Sequence, residues 1–236
     1  MICHQKIGNY QKVFSYANQL QSFSQLKNTS GYLPIELYRN LYPFYYADEI
    51  IKHATNYGID PLFVAAMIRE ESRYNAKIVS PAGARGLMQV MIPTGKLIAQ
   101  KIKFPNFKRD LLFEPQVNIQ FGTWYMSDLM RKFDGNCSLV AGAYNGGPGR
   151  IKNWLKKAKS AEKAVQPQDP IISEIDMEEF VENIPIDETR RHIKKVMDSY
   201  SVYQHLYGEL INNLGKNQNR LSSPSSVILN KERQTN

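Results

Sequence analysis

Apolar residues recur at helical spacing along most of this chain, and only residues 76–91 leave room for a short β-hairpin. A period of about 3.6 residues gathers such side chains on one face of an α-helix, where they can pack against a core. Helices are predicted over residues 9–26, 41–57, 60–74, 93–103, 114–133 and 137–145, with one more opened by Pro148 and a long helix after Pro185. Gly58 is expected to end one helix, and Asp60-Pro61 to cap and open the next. Residues 165–170 are expected to form a linker, and the buried face of the long helix is expected to carry Ile193, Val196, Met197, Tyr200, Tyr203 and Tyr207. The sequence therefore predicts a mainly α fold.

The composition is typical of a globular protein. Of the 236 residues, 42% are hydrophobic and 22% are charged, which is enough apolar material for a sizeable core. No apolar run approaches the roughly 18 residues that a membrane-spanning helix needs. The net charge of +8 suits an acidic polymer as partner, either nucleic acid or a cell wall with anionic peptide stems, and charge alone does not choose between them.

The cysteines and histidines show no metal-ligand spacing. Cys3 and Cys137 are far apart, and the four histidines are scattered without an HExxH or similar grouping. The simplest interpretation is two free cysteines and no metal site. No cofactor is predicted.

The helix predicted over residues 60–74 carries a carboxyl group on an apolar face. At about 100° per residue, Glu71 falls on the stripe formed by Val64, Met67 and Ile68. A carboxyl group there loses hydration, which raises its pKa because the charged form is disfavoured. A glycosidase acid needs a raised pKa in order to hold its proton near neutral pH.

The neighbouring Glu70 faces another way on the same helix. It falls closer to Arg73, three residues on, and we expect an exposed ion pair between them. A glutamate near the end of a helix is usually only a solvated charge. The position of Glu71 on its helix is therefore a weak indication of catalysis when taken alone.

Four short motifs stand in a fixed order around and after Glu71. An isolated Glu-Ser pair carries no information, whereas four separate motifs in order make a coincidence improbable. They are Glu71-Ser72 after Ala65-Ala66-Met67-Ile68-Arg69, then Ser80-Pro81-Ala82-Gly83-Ala84-Arg85-Gly86-Leu87-Met88-Gln89, then Ala143-Tyr144-Asn145-Gly146-Gly147-Pro148, and last Phe180-Val181-Glu182-Asn183-Ile184-Pro185 with Glu188-Thr189-Arg190.

With these motifs, roughly residues 36–210 resemble the catalytic domain of the soluble lytic murein transglycosylases, within the goose-lysozyme-like group. The resemblance implies a lysozyme-like helical domain and gives Glu71 the role of catalytic acid and base. It also implies five positions that contact substrate in the cleft: Ser80, Gln89, Met91, Tyr144 and Glu182.

Structural interpretations of the same residues stay open at this point. Tyr144 and Met91 could belong to the core, and Gln89 could cap its loop. The family usually has proline directly after the position of Met91, but here Ile92 intervenes before Pro93. That shift affects the start of the next helix and the geometry of Met91, and it leaves the assignment of Glu71 untouched.

The resemblance implies cleavage by a single carboxyl group. Glycosidases ordinarily use two, and substrate assistance is an established exception. Glu71 would protonate the glycosidic oxygen between N-acetylmuramic acid and N-acetylglucosamine, with the N-acetyl group assisting. Glu71 would then take the proton of the muramoyl 6-hydroxyl, and a 1,6-anhydro ring would close without water.

Two alternatives remain. A goose-type lysozyme would use the same glutamate with water as the acceptor. A non-catalytic basic helical module would bind wall polymer or nucleic acid, but the basic residues are spread along the chain and no nucleic-acid-binding motif is evident. The expected partner is therefore the peptidoglycan glycan strand rather than nucleic acid, and cell-wall or envelope proteins are compatible further partners.

We expect three parts in the chain. Residues 1–40 resemble the end of a helical domain that precedes the catalytic domain in larger family members, 41–213 form the lysozyme-like transglycosylase domain, and 214–236 form a flexible tail. The inferred substrate places the protein in the periplasm or cell envelope. The first residues lack the apolar stretch of a secretory signal, so the chain is expected either to be a fragment of a longer exported protein or to leave by another route. The resemblance of residues 1–40 to the end of a preceding domain favours a fragment.

Overall fold

A computed structural model describes residues 10–26, 34–165 and 175–221 of the chain. The described residues are mainly helical, which confirms the predicted fold class, and each helix is numbered in chain order. The helices are α1 (Tyr10–Leu26), α2 (Ile35–Leu41), α3 (Ala47–Tyr57), α4 (Pro61–Ser72), α5 (Ile92–Lys101), α6 (Pro115–Lys132), α7 (Cys137–Gly146), α8 (Pro148–Val165), α9 (Met177–Glu182) and α10 (Asp187–Leu221), with a 3₁₀ helix at Arg109–Phe113.

Helix α4 lies at the centre of the fold. Every residue from Leu62 to Ile68 is buried, because α10 and α3 pack against the helix. Its start matches the predicted cap: the side chain of Asp60 accepts a hydrogen bond from the backbone N–H of Leu62 at 2.8 Å, and Pro61 opens the first turn. A helix that is apolar on all sides is stable only inside a core, which is where the chain holds it.

Tyrosine hydroxyl groups fasten the long helix α10 to the start of α4 and to the segment between α2 and α3. The hydroxyl of Tyr200 donates to Oδ2 of Asp60 at 2.6 Å, and that of Tyr203 donates to the carbonyl of Pro43 at 2.6 Å. Both tyrosines belong to the face predicted to be buried. These bonds satisfy polar groups that burial would otherwise leave without partners, and they hold α10 against both segments.

The single helix predicted over residues 41–57 is two helices in the structure. Helix α2 ends at Leu41, and α3 begins at Ala47. Pro43 explains the break, because proline has no N–H to donate and restricts the residue before it to extended conformations. The predicted end of α3 at Gly58 is confirmed, since this glycine adopts the left-handed conformation with φ of 67°.

In place of the β-hairpin considered for residues 76–91, the segment 79–90 forms a loop with two isolated antiparallel bridges. Arg85 pairs with Val79 on one side and with Val90 on the other. Gly83 and Gly86 have φ of 87° and 76°, so the chain reverses within a few residues and no ladder extends. The name cleft loop is used below for residues 79–90.

One buried side chain, Asn118 on α6, holds the cleft loop in place. Its Nδ2 donates to the carbonyls of Arg85 at 2.8 Å and Leu112 at 2.7 Å, while its Oδ1 accepts from the N–H of Met88 at 2.7 Å. Gly86 passes so close that a Cβ atom there would meet the carbonyl oxygen of Leu112 at 2.2 Å. The loop conformation therefore depends on a buried amide and a glycine.

Parts of the predicted domain plan lie outside the described residues, namely 1–9, 27–33 and the segment 166–174 that holds most of the predicted linker. Helix α10 continues to Leu221, past the boundary placed at 213, and 222–236 are not described. The three-part division stays a prediction. Among the described residues, no helix combines the length and the apolar character required to cross a membrane.

Replacing Asn118 with Ala should destabilise the fold by on the order of 2–4 kcal/mol, because three buried backbone groups lose their partner. Urea unfolding measures the change. Gln116→Ala, at an exposed position on the same helix, should stay within about 0.5 kcal/mol of the parent chain. An equally small effect for Asn118→Ala would show that the amide does not hold the cleft loop.

Candidate active site

Glu71 lies in the last turn of α4, where the packed helices leave little water around its carboxyl group. The side chain is 14% exposed. Burial raises the pKa of Glu71 to about 8, and the nearby charges of Glu70 and Glu188 act in the same direction. The group is therefore mostly protonated at neutral pH, as a general acid must be.

Glu70 occupies a different environment from the one predicted. It is only 12% exposed, and its Oε1 forms a tight ion pair with Arg69 and accepts a hydrogen bond from Oγ of Ser199 at 2.6 Å. The expected partner was Arg73 at an exposed site. The adjacent cation and the hydroxyl from α10 make Glu70 a structural carboxyl group rather than a second proton donor.

Arg69 joins this ion pair to the N-terminal helices. Its guanidinium group lies 4.0 Å from the ring centroid of Tyr42 and 5.5 Å from that of Phe14 on α1. Its Nε donates to the carbonyl of Leu41 at 2.9 Å. The Arg69 side chain thus connects α1 and the end of α2 to the last turn of α4, which carries the two glutamates.

His192 on α10 contacts Glu71, and sequence reasoning missed it as one of four scattered histidines. Its Nε2 lies 3.5 Å from Oε1 of Glu71, and its side chain is 11% exposed. Burial lowers the pKa of His192 to about 4. A signal was present: His192 falls on the same helical stripe as Thr189 and Val196, both buried, so it faces the core where α4 packs.

The structure places Tyr144 close enough to Glu71 for the charge of that carboxyl group to act on it, and contact of Tyr144 with substrate stays a prediction. Burial raises the pKa of Tyr144 well above its usual value, and the charge of Glu71 adds to the effect. The hydroxyl group donates to the carbonyl of Met88 at 2.7 Å, and the ring packs against Tyr125 with centroids 5.4 Å apart. Tyr144 therefore joins α7 to the cleft loop beside the buried acid.

Ser80 and Gln89 are both in the cleft loop, and both side chains bond to its own backbone. Oγ of Ser80 accepts from the N–H of Ala84 at 3.0 Å. Nε2 of Gln89 donates to the carbonyl of Gly86 at 2.9 Å, and Gln89 has a positive φ of 46°. Both residues have a structural part in the loop, and their contact with substrate stays a prediction.

Met91 and Glu182 lie at the ends of helices. Met91 precedes α5 and is 38% exposed, and the shifted Pro93 is accommodated within the first turn of that helix. Glu182 ends α9 with an exposed side chain, and Nζ of Lys194 lies 2.5 Å from its Oε1, which lowers the pKa of Glu182. In the part of the chain that the structure describes, no hydrogen bond or ion pair joins Glu182 to Glu71.

Residues 10–26, 34–165 and 175–221 contain no evident metal-binding site. No group of three or more histidine, cysteine, aspartate or glutamate side chains there could hold an ion. The described site brings together the carboxyl group of Glu71, the imidazole of His192 and the hydroxyl group of Tyr144.

Residues 48–167 match the transglycosylase SLT domain, and the chain belongs to that family. It is 32% identical over 169 residues to the soluble lytic murein transglycosylase of Salmonella typhimurium. The matched region covers 71% of this chain and 24% of that protein. The chain thus spans about a quarter of the length of this curated relative.

Two solved structures share the fold. The 70 kDa soluble lytic transglycosylase from Escherichia coli superposes with a TM-score of 0.67 at 27% identity, over 84% of this chain and 30% of that one. An inactive glutamate-to-glutamine mutant of the lytic transglycosylase Slt from Pseudomonas aeruginosa superposes with a TM-score of 0.65 at 28% identity. The match covers 81% of this chain and 29% of that one. The lysozyme-like helical architecture predicted from the motifs is confirmed.

The raised pKa of Glu71 has a measurable consequence for stability. The unfolded chain ionises this carboxyl group above its ordinary pKa near 4.5, while the folded chain keeps it protonated up to about pH 8. Stability contributed by the group is therefore lost as the pH rises between those values. We expect Glu71→Gln to be more stable than the parent chain at pH 8, by on the order of 4 kcal/mol, and nearly equal at pH 4.

Urea unfolding across that pH range makes the comparison. Glu209→Gln, at an exposed position on α10, serves as the control and should differ from the parent by an amount that does not grow with pH. A constant difference for Glu71→Gln would mean that the folded protein hydrates this carboxyl group.

Proposed function

We propose that this protein is a peptidoglycan lytic transglycosylase that cleaves the β-1,4 bond between N-acetylmuramic acid and N-acetylglucosamine, with Glu71 as both acid and base. The observation that carries the proposal is the burial of Glu71, which raises its pKa to about 8 at the end of a family motif. Membership of the family and the names of the relatives supply the substrate class.

In the first step the protonated carboxyl of Glu71 donates to the glycosidic oxygen, and the bond from that oxygen to the muramoyl anomeric carbon breaks. The muramoyl N-acetyl group assists at the anomeric carbon. In the second step the ionised Glu71 accepts the proton of the muramoyl 6-hydroxyl, whose oxygen bonds to the anomeric carbon. The acid regains its proton and no water is consumed.

Substrate assistance agrees with the surroundings of Glu71. A two-carboxylate glycosidase needs a second free carboxyl group at roughly 5–9.5 Å. Glu70 is bonded to Arg69 and Ser199, so it has little freedom to act on a sugar. Glu188, exposed in the first turn of α10, is the other carboxyl whose charge acts on Glu71, and it is the residue on which a hydrolytic alternative would depend.

The partner that follows is the glycan strand of peptidoglycan, and the place of action is the cell envelope. The relatives are named for murein, and some for membrane attachment. We place Tyr144, Gln89, Ser80 and Met91 along the bound sugar, because they lie on or beside the cleft loop next to Glu71. Glu182, which pairs with Lys194, would contact substrate only at the outer edge of the cleft.

Replacing Glu71 with Gln should lower the rate of glycan cleavage by roughly 10²–10⁴-fold or more, because the amide cannot transfer a proton. Release of soluble muropeptides from purified sacculi measures the rate. Glu188→Gln is the matched control and should keep activity within about tenfold of the parent. Near-normal cleavage by Glu71→Gln would refute the assignment, and equal loss in both variants would indicate a two-carboxylate mechanism.

The product should end in 1,6-anhydro-N-acetylmuramic acid. The 6-hydroxyl competes with water at about 55 M, and a well-oriented intramolecular group reaches an effective molarity of roughly 10⁵–10⁸ M. Mass spectrometry should show muropeptides about 18 Da lighter than their hydrolysed counterparts and resistant to borohydride, because ring closure removes the reducing end. Mainly reducible products would instead identify a goose-type lysozyme that uses the same acid.

A further inference from the structure

Helices α4 and α10 bring the imidazole of His192 against the carboxyl of Glu71. The two residues stand 121 positions apart in the chain, and their closest atoms, Nε2 and Oε1, are 3.5 Å apart. Both side chains are nearly enclosed by protein. Within the described residues, Nε2 of His192 has no hydrogen-bond partner. A buried polar nitrogen needs one, and the carboxyl group in contact with it is in the right place.

Among the described residues, the groups around this contact are charged side chains on α4 and α10 and a tyrosine on α7. The charged neighbours on its own helix are Glu70 and the Arg69 bonded to it, and those on α10 are Glu188 and Lys195. The hydroxyl of Tyr144 faces the site from α7 but already donates to the carbonyl of Met88. Two of these neighbours are carboxyl groups, which repel a negative charge at Glu71.

We propose that His192 is the positioning residue of Glu71, with its Nε2–H donating to Oε1 so that Oε2 carries the proton that is transferred. This inference rests on the proposed function, because it concerns the acid of that reaction. The neutral imidazole fixes the carboxyl plane and leaves the proton on Oε2.

The bond gains strength as the reaction proceeds. When Glu71 gives up its proton, Oε1 becomes part of a carboxylate, and a hydrogen bond to an ionised acceptor is shorter and stronger than one to a neutral acid. An interaction that strengthens as charge develops lowers the barrier instead of merely binding substrate. Burial keeps the imidazole neutral above about pH 4, so no cation forms to pull the proton of Glu71 away at neutral pH.

The test compares His192→Phe, which fills the space without a donor, with His192→Gln, whose amide nitrogen can replace Nε2–H. Loss of the donor should lower kcat about 10–100-fold and leave KM within about threefold. It should also shift the alkaline limb of the kcat/KM profile to higher pH, because the ionised Glu71 loses its stabilising bond. His192→Gln should restore most of kcat and return the limb toward its original pH.

His205→Phe, at an exposed position on the same helix, is the control and should change neither kcat nor the pH profile. Unchanged kcat and pH profile in His192→Phe would overturn the proposal. Equal losses in the Phe and Gln variants with an unmoved alkaline limb would overturn it too, because they would show that the histidine only fills space.

A second measurement needs no turnover. The pKa of Glu71, followed by NMR of its ¹³C-labelled carboxyl group, should rise in His192→Phe and return toward the parent value in His192→Gln. An unchanged pKa in His192→Phe would refute the hydrogen bond. The two proposals fail in different ways, since an active Glu71→Gln would refute the proposed function while this titration would still report on the contact.

Discussion

Exclusion of water from α4 is the constraint on which the rest of the site depends. The helix is buried from Leu62 to Ile68, so a carboxyl group in its last turn is also poorly hydrated. Desolvation raises the pKa of Glu71 more than any neighbouring charge does. The same packing that stabilises the fold thus prepares the acid, and the energetic cost of burying the carboxyl group of Glu71 is offset by the core around it.

Two adjacent glutamates acquire different properties because the helix turns about 100° between them. Glu70 points to Arg69 and to Ser199 of α10, and Arg69 in turn stacks on Tyr42. This buried pair orients the helix end and tethers the N-terminal helices. Glu71 instead contacts the neutral imidazole of His192. The division of roles follows from what each neighbour can offer, since both side chains are equally hidden from solvent.

Local rules predicted much of the fold. Helical periodicity and the caps at Asp60 and Gly58 gave elements that the structure confirms, and Glu71 is enclosed as its apolar stripe predicted, although Glu70 is enclosed to the same degree. The rules failed where partners are distant in sequence. The spacing of three residues favoured Arg73 for Glu70, but Ser199 and the contact of His192 come from a helix more than a hundred residues away. Periodicity indicates which face of a helix is buried, but only the packing of two helices determines which side chains contact that face.

The cleft loop shows why a motif can carry both structure and function. Asn118 and the hydroxyl of Tyr144 hold its backbone at Met88, so the loop keeps one shape next to Glu71. Gln89 and Ser80 form hydrogen bonds with the same backbone, which leaves them few orientations. For a reaction in which the muramoyl 6-hydroxyl must displace water, a rigid wall beside a fixed acid contributes more than additional contacts. A loop whose Ser80 and Gln89 side chains are already bonded to its backbone loses little entropy when the sugar binds, and its remaining polar atoms can hold the ring in the reactive orientation.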